Sequence, residues 1–123
     1  MLSVRFAGLP AGTEEPVAEY CRDLGLTVSE TAPVTVTCNA GNCLALEGTS
    51  AAVRVTYRKK NELFRALSFL PTFLSDGKPV KETSRYRLLS YMGDCSRNAV
   101  YNIPFAKQLI RNLAGMGYDS VML

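Results

Sequence analysis

Residues 2–7 alternate apolar and polar side chains, the period-two signature of a strand with one covered face. Gly8, Pro10 and Gly12 break that pattern, and Thr13 stands where a helix N-cap would, ahead of Glu14, Glu15 and Pro16. Val17, Tyr20, Cys21 and Leu24 then recur at helical spacing on one face, and Gly25 closes the helix. Residues 34–38, 44–46 and 52–57 are apolar, mostly β-branched runs separated by turn residues, Asn39 to Asn42 and then Gly48 to Ser50. Strands so close in sequence are joined by hairpins, so the spacing predicts antiparallel pairing among all three.

A second helix starts at Asn61, its predicted cap, and carries Leu63, Phe64, Leu67, Leu70 and Leu74 as an apolar stripe. Pro71 falls late in that stripe and kinks or ends the helix. A turn at Asp76 to Pro79 and a polar stretch to Ser84 mark a boundary. Beyond it the pattern changes. Residues 86–92 predict a strand apolar on both faces, as in a sheet covered on two sides. A loop over residues 93–98 leads to a third helix, capped by Asn102, with Pro104 in its first turn and Gly117 at its end. Phe105, Leu109, Leu113 and Met116 line one face of it, and residues 118–123 begin another strand. Strand, helix, strand implies a parallel pair. A lone unit of that kind cannot bury both faces of its strands. Apolar surface around Leu109, Leu113 and Val121 is therefore expected to remain exposed, with self-association of the piece through it. Ending on an apolar strand, the chain reads as cut from something longer.

Composition narrows the chemistry more than the fold. At 123 residues there is material for one core. There is no His, which removes Ser–His and Cys–His nucleophile pairs and a His general base. Cys21, Cys38, Cys43 and Cys95 match no common zinc spacing, so buried free thiols are expected, with no metal and no cofactor. No signal peptide and no run approaching a membrane span is visible, and a reduced, cytoplasmic setting follows as the default. The formal charge of +3 is too mild to point to nucleic acid. The densest basic run, Arg58, Lys59 and Lys60, reads as a solvated turn between strand and helix. The rival reading is a self-contained α+β interaction module that binds nucleic acid weakly through Arg58, Lys59, Lys60 and Arg65.

Asp94, Cys95, Ser96, Arg97 and Asn98, followed by the helix and turn over residues 106–119, resemble the opening of a family 20 glycoside hydrolase barrel. Members of that family of β-N-acetylhexosaminidases show an Asp-x-Ser-Arg loop after the first barrel strand. A helix ending in Leu-Ala-x-Met-Gly-x-Asn follows, much as Leu113 to Asp119 read here. Arg65, Ala66 and Leu67 are similar to a helix of the family's N-terminal domain, and the loop with Met116, Gly117 and Tyr118 resembles the intracellular bacterial N-acetylglucosaminidase branch. The resemblance implies an α+β fold. Residues 1–82 would form a non-catalytic N-terminal domain, an antiparallel-rich sheet backed by helices, and residues 83–123 the first β-α-β of a truncated TIM barrel. On the first barrel loop, Asp94 and Arg97 could hold sugar hydroxyls through charge-assisted hydrogen bonds, or instead pair with each other or cap the helix.

Two departures bear on chemistry. Where many members carry Arg-Gly near the start of this strand, Leu89 and Ser90 stand here, so the grip on that sugar edge must come from elsewhere. The family's catalytic Asp-Glu pair is absent from the whole sequence, and Glu14 with Glu15 sit in a helix start. The resemblance therefore implies an inert piece, without catalytic residues, whose partner is the rest of its own barrel. The parent would act on glycans by substrate-assisted catalysis, with no nucleic-acid or membrane partner.

Overall fold

The computed structural model describes residues 2–83, 88–92 and 102–122. In chain order they form β1 (Leu2–Ala7), α1 (Glu14–Asp23), β2 (Leu26–Val28), β3 (Val34–Ala40), β4 (Leu44–Gly48) and β5 (Ala52–Tyr57). Then come α2 (Glu62–Ser68), α3 (Leu70–Asp76), β6 (Val80–Glu82), β7 (Ser90–Met92), α4 (Ile103–Gly115) and β8 (Ser120–Met122). The first six strands make one sheet in the order β2-β1-β3-β5-β4-β6, and β7 with β8 make a second.

The fold is α+β with a mixed sheet, and this corrects the antiparallel-rich expectation. β1 pairs parallel with both β2 and β3, and β3 pairs parallel with β5. Only β4 runs antiparallel to its neighbours, β5 and β6. The link from β3 to β4 is no hairpin. It steps over the end of β5, where the Gly41 N–H donates to the Tyr57 carbonyl at 2.8 Å. Two strand spacings amount to roughly 10 Å, and four Cα steps from Ala40 to Leu44 can reach about 13 Å. Short separation in sequence thus permits either a hairpin or a step across one strand. β2 and β6, three residues each, are too short to stand out as periodic runs.

One face of this sheet carries the core. Val4, Val36, Val53, Val55 and Leu46 point into it and are fully buried, each contributing roughly 1.5–3 kcal/mol by leaving water. They meet Val17 and Cys21 of α1, Leu63, Ala66 and Leu67 of α2, and Leu70 and Phe73 of α3 in a single cluster. The opposite face is polar. Arg5 donates to the Thr35 hydroxyl at 2.8 Å, and the exposed Arg54 lies 3.6 Å from Glu47. The predicted second helix breaks at Phe69, with Pro71 in the first turn of α3 and Gly77 ending it at φ +68°.

Thr13 and Asn61 occupy N-cap positions, yet neither side chain caps its helix. The Thr13 hydroxyl donates to the Pro10 carbonyl at 2.6 Å, and the Asn61 amide is used elsewhere. Asn102 does cap α4, accepting from the Phe105 N–H at 2.8 Å. β7 and β8 pair in parallel through Ser90↔Ser120, as strand-helix-strand order predicts. The expected exposure is corrected at Leu113, which is buried, and Leu109 and Val121 are partly covered, while Phe105 and Met116 are about half exposed, at 52% and 53%. α4 turns Leu113 toward α2 and sets Gly115 against Tyr20 of α1.

Gly8 closes β1 at φ +77°, and a Cβ there would sit 2.5 Å from the Cys38 carbonyl oxygen. Gly8→Ala is expected to cost about 1–3 kcal/mol in a urea unfolding titration, since backbone on both sides resists a shift. An unchanged midpoint would contradict this packing.

Candidate functional site

Asp94 and Arg97, the residues singled out for sugar contact, lie outside the described residues, as does Cys95. What is described are the elements on either side of them. β7 ends at Met92, and α4 begins after the Asn102 cap. The opposite end of the β7–β8 pair carries a polar cluster that joins it to the larger sheet.

Its centre is Asp119, just before β8. One carboxylate oxygen, Oδ1, accepts from Lys59 Nζ at 3.0 Å and from Asn61 Nδ2 at 2.6 Å. The other, Oδ2, accepts from the Leu89 N–H at 2.7 Å, and the Asp119 N–H donates to the Leu89 carbonyl at 2.6 Å. A single side chain, only 11% exposed, thereby ties the β5–α2 turn to the start of both short strands. Burial alone would raise its pKa. Hydrogen bonds from Lys59, the Leu89 N–H and Asn61 outweigh that, and the carboxyl falls below its ordinary value.

Arg58 and Glu62 form a second fixed pair. Glu62 Oε1 accepts from Arg58 N and Nε, and Oε2 from Nη2 at 2.7 Å. Desolvation pulls the Glu62 pKa up, but the Arg58 hydrogen bonds win and hold it low. Arg65 grips Glu82 at the end of β6 through two 3.1 Å contacts, reaches the Gly115 carbonyl, and lies 4.6 Å over the Phe69 ring. The basic run therefore departs from the solvated turn expected for it. Arg58, Lys59 and also Arg65 are engaged with carboxylates of this chain.

These groups hold structure rather than perform chemistry. Both Asp119 oxygens are occupied, and Glu62 is clamped. The thiols of Cys21 and Cys38 are buried, which pushes each up to about 12, so neither presents a thiolate near neutral pH. Among the described residues no three His, Cys, Asp or Glu side chains gather as metal ligands. Nor is any described helix long and apolar enough to cross a membrane. A cavity of about 350 Å³ lies between α2, α4 and β8, walled by Phe64, Ile110, Leu113, Ala114, Tyr118 and Val121. It is an open apolar groove, suited to packing another element rather than to catalysis.

No protein-family model matches the sequence, and no curated protein matches it. Solved structures do. Across 98% of this chain it is similar to a family 20 exo-β-N-acetylglucosaminidase from Vibrio harveyi in complex with N-acetylglucosamine, at TM-score 0.68 and 14% identity. It is similar over 95% of its length to a mutant Streptomyces plicatus β-hexosaminidase in complex with its product (TM-score 0.64, 20% identity). A family 20 β-N-acetylhexosaminidase from Streptomyces coelicolor A3(2) is matched over 98%, at TM-score 0.62 and 20% identity. The chain spans only 21% of the Vibrio enzyme and 29% of each Streptomyces one. At such identities the likeness speaks for the fold.

The two depressed carboxyls set an acid limit. Because their folded pKa values lie below the unfolded ones, their contribution is full above about pH 5 and drains as pH falls through the folded values. Urea unfolding at about pH 6 and about pH 3 should show wild type losing more stability than Glu62→Gln over that interval. Equal losses in the two proteins would mean that Glu62 contributes nothing through its charge.

Proposed function

We propose that this chain is the front piece of a family 20 glycoside hydrolase. Residues 1–82 form its non-catalytic α+β domain, and residues 83–123 the first strand, helix and strand of a (β/α)8 catalytic barrel. The observation that carries this reading is the fold likeness to such enzymes, which runs through both sheets and covers 98% of the chain. The parallel β7–α4–β8 unit supports it, being the repeat from which such barrels are built. The intracellular bacterial N-acetylglucosaminidase branch and a cytoplasmic setting belong to the same proposal.

In a barrel of this kind catalysis takes place on the loops after the carboxyl ends of the strands. Residues 93–98 follow β7 in that position, so Asp94 and Arg97 are the residues of this piece that would face sugar. The parent removes a terminal β-linked N-acetylhexosamine, the substrate's own acetamido group attacking the sugar carbon while a carboxylic acid protonates the leaving oxygen. That acid and its partner lie further along the parent, and the piece by itself is inert. Its partner is the remainder of the barrel. Leu88, Met92, Ile103, Phe105, Ile110 and Met116, each more than half exposed, form the surface such a partner would cover. The interaction-module reading gains no support, since three of its four cations are paired within the chain.

Sequencing the source gene past codon 123 tests the assignment. An open frame of some hundreds of codons with an Asp-Glu pair after a strand pattern is expected, and a stop codon there would sink it. The 123-residue chain should leave a chromogenic β-N-acetylglucosaminide unhydrolysed, and its light-scattering mass should rise with concentration. Turnover that scales with protein would remove the claim of inertness, and a strict monomer would remove the self-association.

A further inference from the structure

We propose that β7, α4 and β8 form a detachable body, latched to the six-stranded sheet by Asp119, that can leave as a unit while that sheet stays folded. The main core is complete without them. Every residue of its buried cluster, and every partly buried side chain packed on it, lies between Val4 and Val80. Within α4 only Leu113 and Gly115 are buried. Six of the eight large exposed apolar side chains among the described residues fall between Leu88 and Met116, so little apolar surface glues the segment down.

Its remaining attachments are polar and unequal in strength. Arg111 pairs with Asp23 at 2.7 Å and Glu19 at 3.6 Å, but these side chains are 26–44% exposed. Such pairs contribute little in water. The Arg65 contact to the Gly115 carbonyl is long, at 3.4 Å. Asp119 differs in being nearly enclosed and in using its two oxygens for two tasks. Oδ1 faces Lys59 and Asn61 of the sheet body, and Oδ2 faces Leu89 of the departing one. Arg58 adds a longer-range attraction, and Ser120 N–H, also on the β8 side, donates to the Leu89 carbonyl. An amide in its place can accept on one side only and must turn its NH2 toward donors on the other, leaving one joint open.

This inference rests on contacts within the chain and stands or falls separately from the glycosidase reading. Hydrogen exchange followed residue by residue in the full chain tests it. Asp119→Asn should speed exchange of the α4 amides by about tenfold or more while amides of β3 and β5 stay within about twofold of wild type. Lys59→Met should shift α4 in the same direction by less. Unchanged α4 exchange in Asp119→Asn overturns the proposal. Equal acceleration in α4 and the sheet, or loss of protection throughout, overturns it as well, because the two parts would then unfold together.

Discussion

Val55 has no exposed surface, and its strand is the only one in the sheet with neighbours of opposite sense on its two sides. β3 lies parallel on one flank of β5 and β4 antiparallel on the other. Because side chains alternate along a strand, seating Val53, Val55 and Tyr57 inward determines which residues of β3 and β4 face the helices. A slip by one residue would expose that whole row and bury Arg54. The turn leaving β5 carries Arg58, Lys59 and Asn61, so the same register also aims the groups that meet Glu62 and Asp119. Core and joint are thus set by one strand.

The two sheets are held by different physics. The larger one rests on apolar burial, which is strong in aggregate and does not depend on charge. The smaller one is attached through carboxylates and cations, with Leu113 as its main buried side chain. Of the cations that the sequence presents as a basic patch, Lys59 is engaged across this seam, while Arg58 and Arg65 pair with Glu62 and Glu82 of the larger body. That leaves the apolar side chains of β7 and α4 facing outward, in the arrangement expected of a part whose packing partner is elsewhere.

Local pattern carried the elements well. Alternation marked β1, a β-branched run marked β5, helical spacing marked α1 and α4, Pro71 marked the break between α2 and α3, and Asn102 was a true cap. Pairing was a different matter, since β3 and β4 are close in sequence but separated in space by β5, a choice decided by long-range register. Thr13 and Asn61 have the chemistry of caps, yet other acceptors, the Pro10 carbonyl and the Asp119 carboxylate, claim them. Leu113 looked exposed because α2, the helix that α4 packs against, lies some fifty residues upstream. The Asp119 joint left no local signal at all: it unites residues 30 to 60 positions apart. Asp94 and Arg97 fall outside the described residues, so they stand on motif resemblance alone.

The step at Gly41 has a consequence for how the chain is made. As the polypeptide emerges from the ribosome, β3 appears first and β4 next, yet the slot between them belongs to a strand not yet synthesised. Until Tyr57 has cleared the exit tunnel, β3 has only β1 beside it and β4 has no neighbour at all, and pairing β3 with β4 directly would close the slot. Translation order and spatial order disagree over residues 34–57. The nascent sheet must therefore wait for its middle, and a pause shortly before Tyr57 would hold open the window in which the wrong hairpin forms.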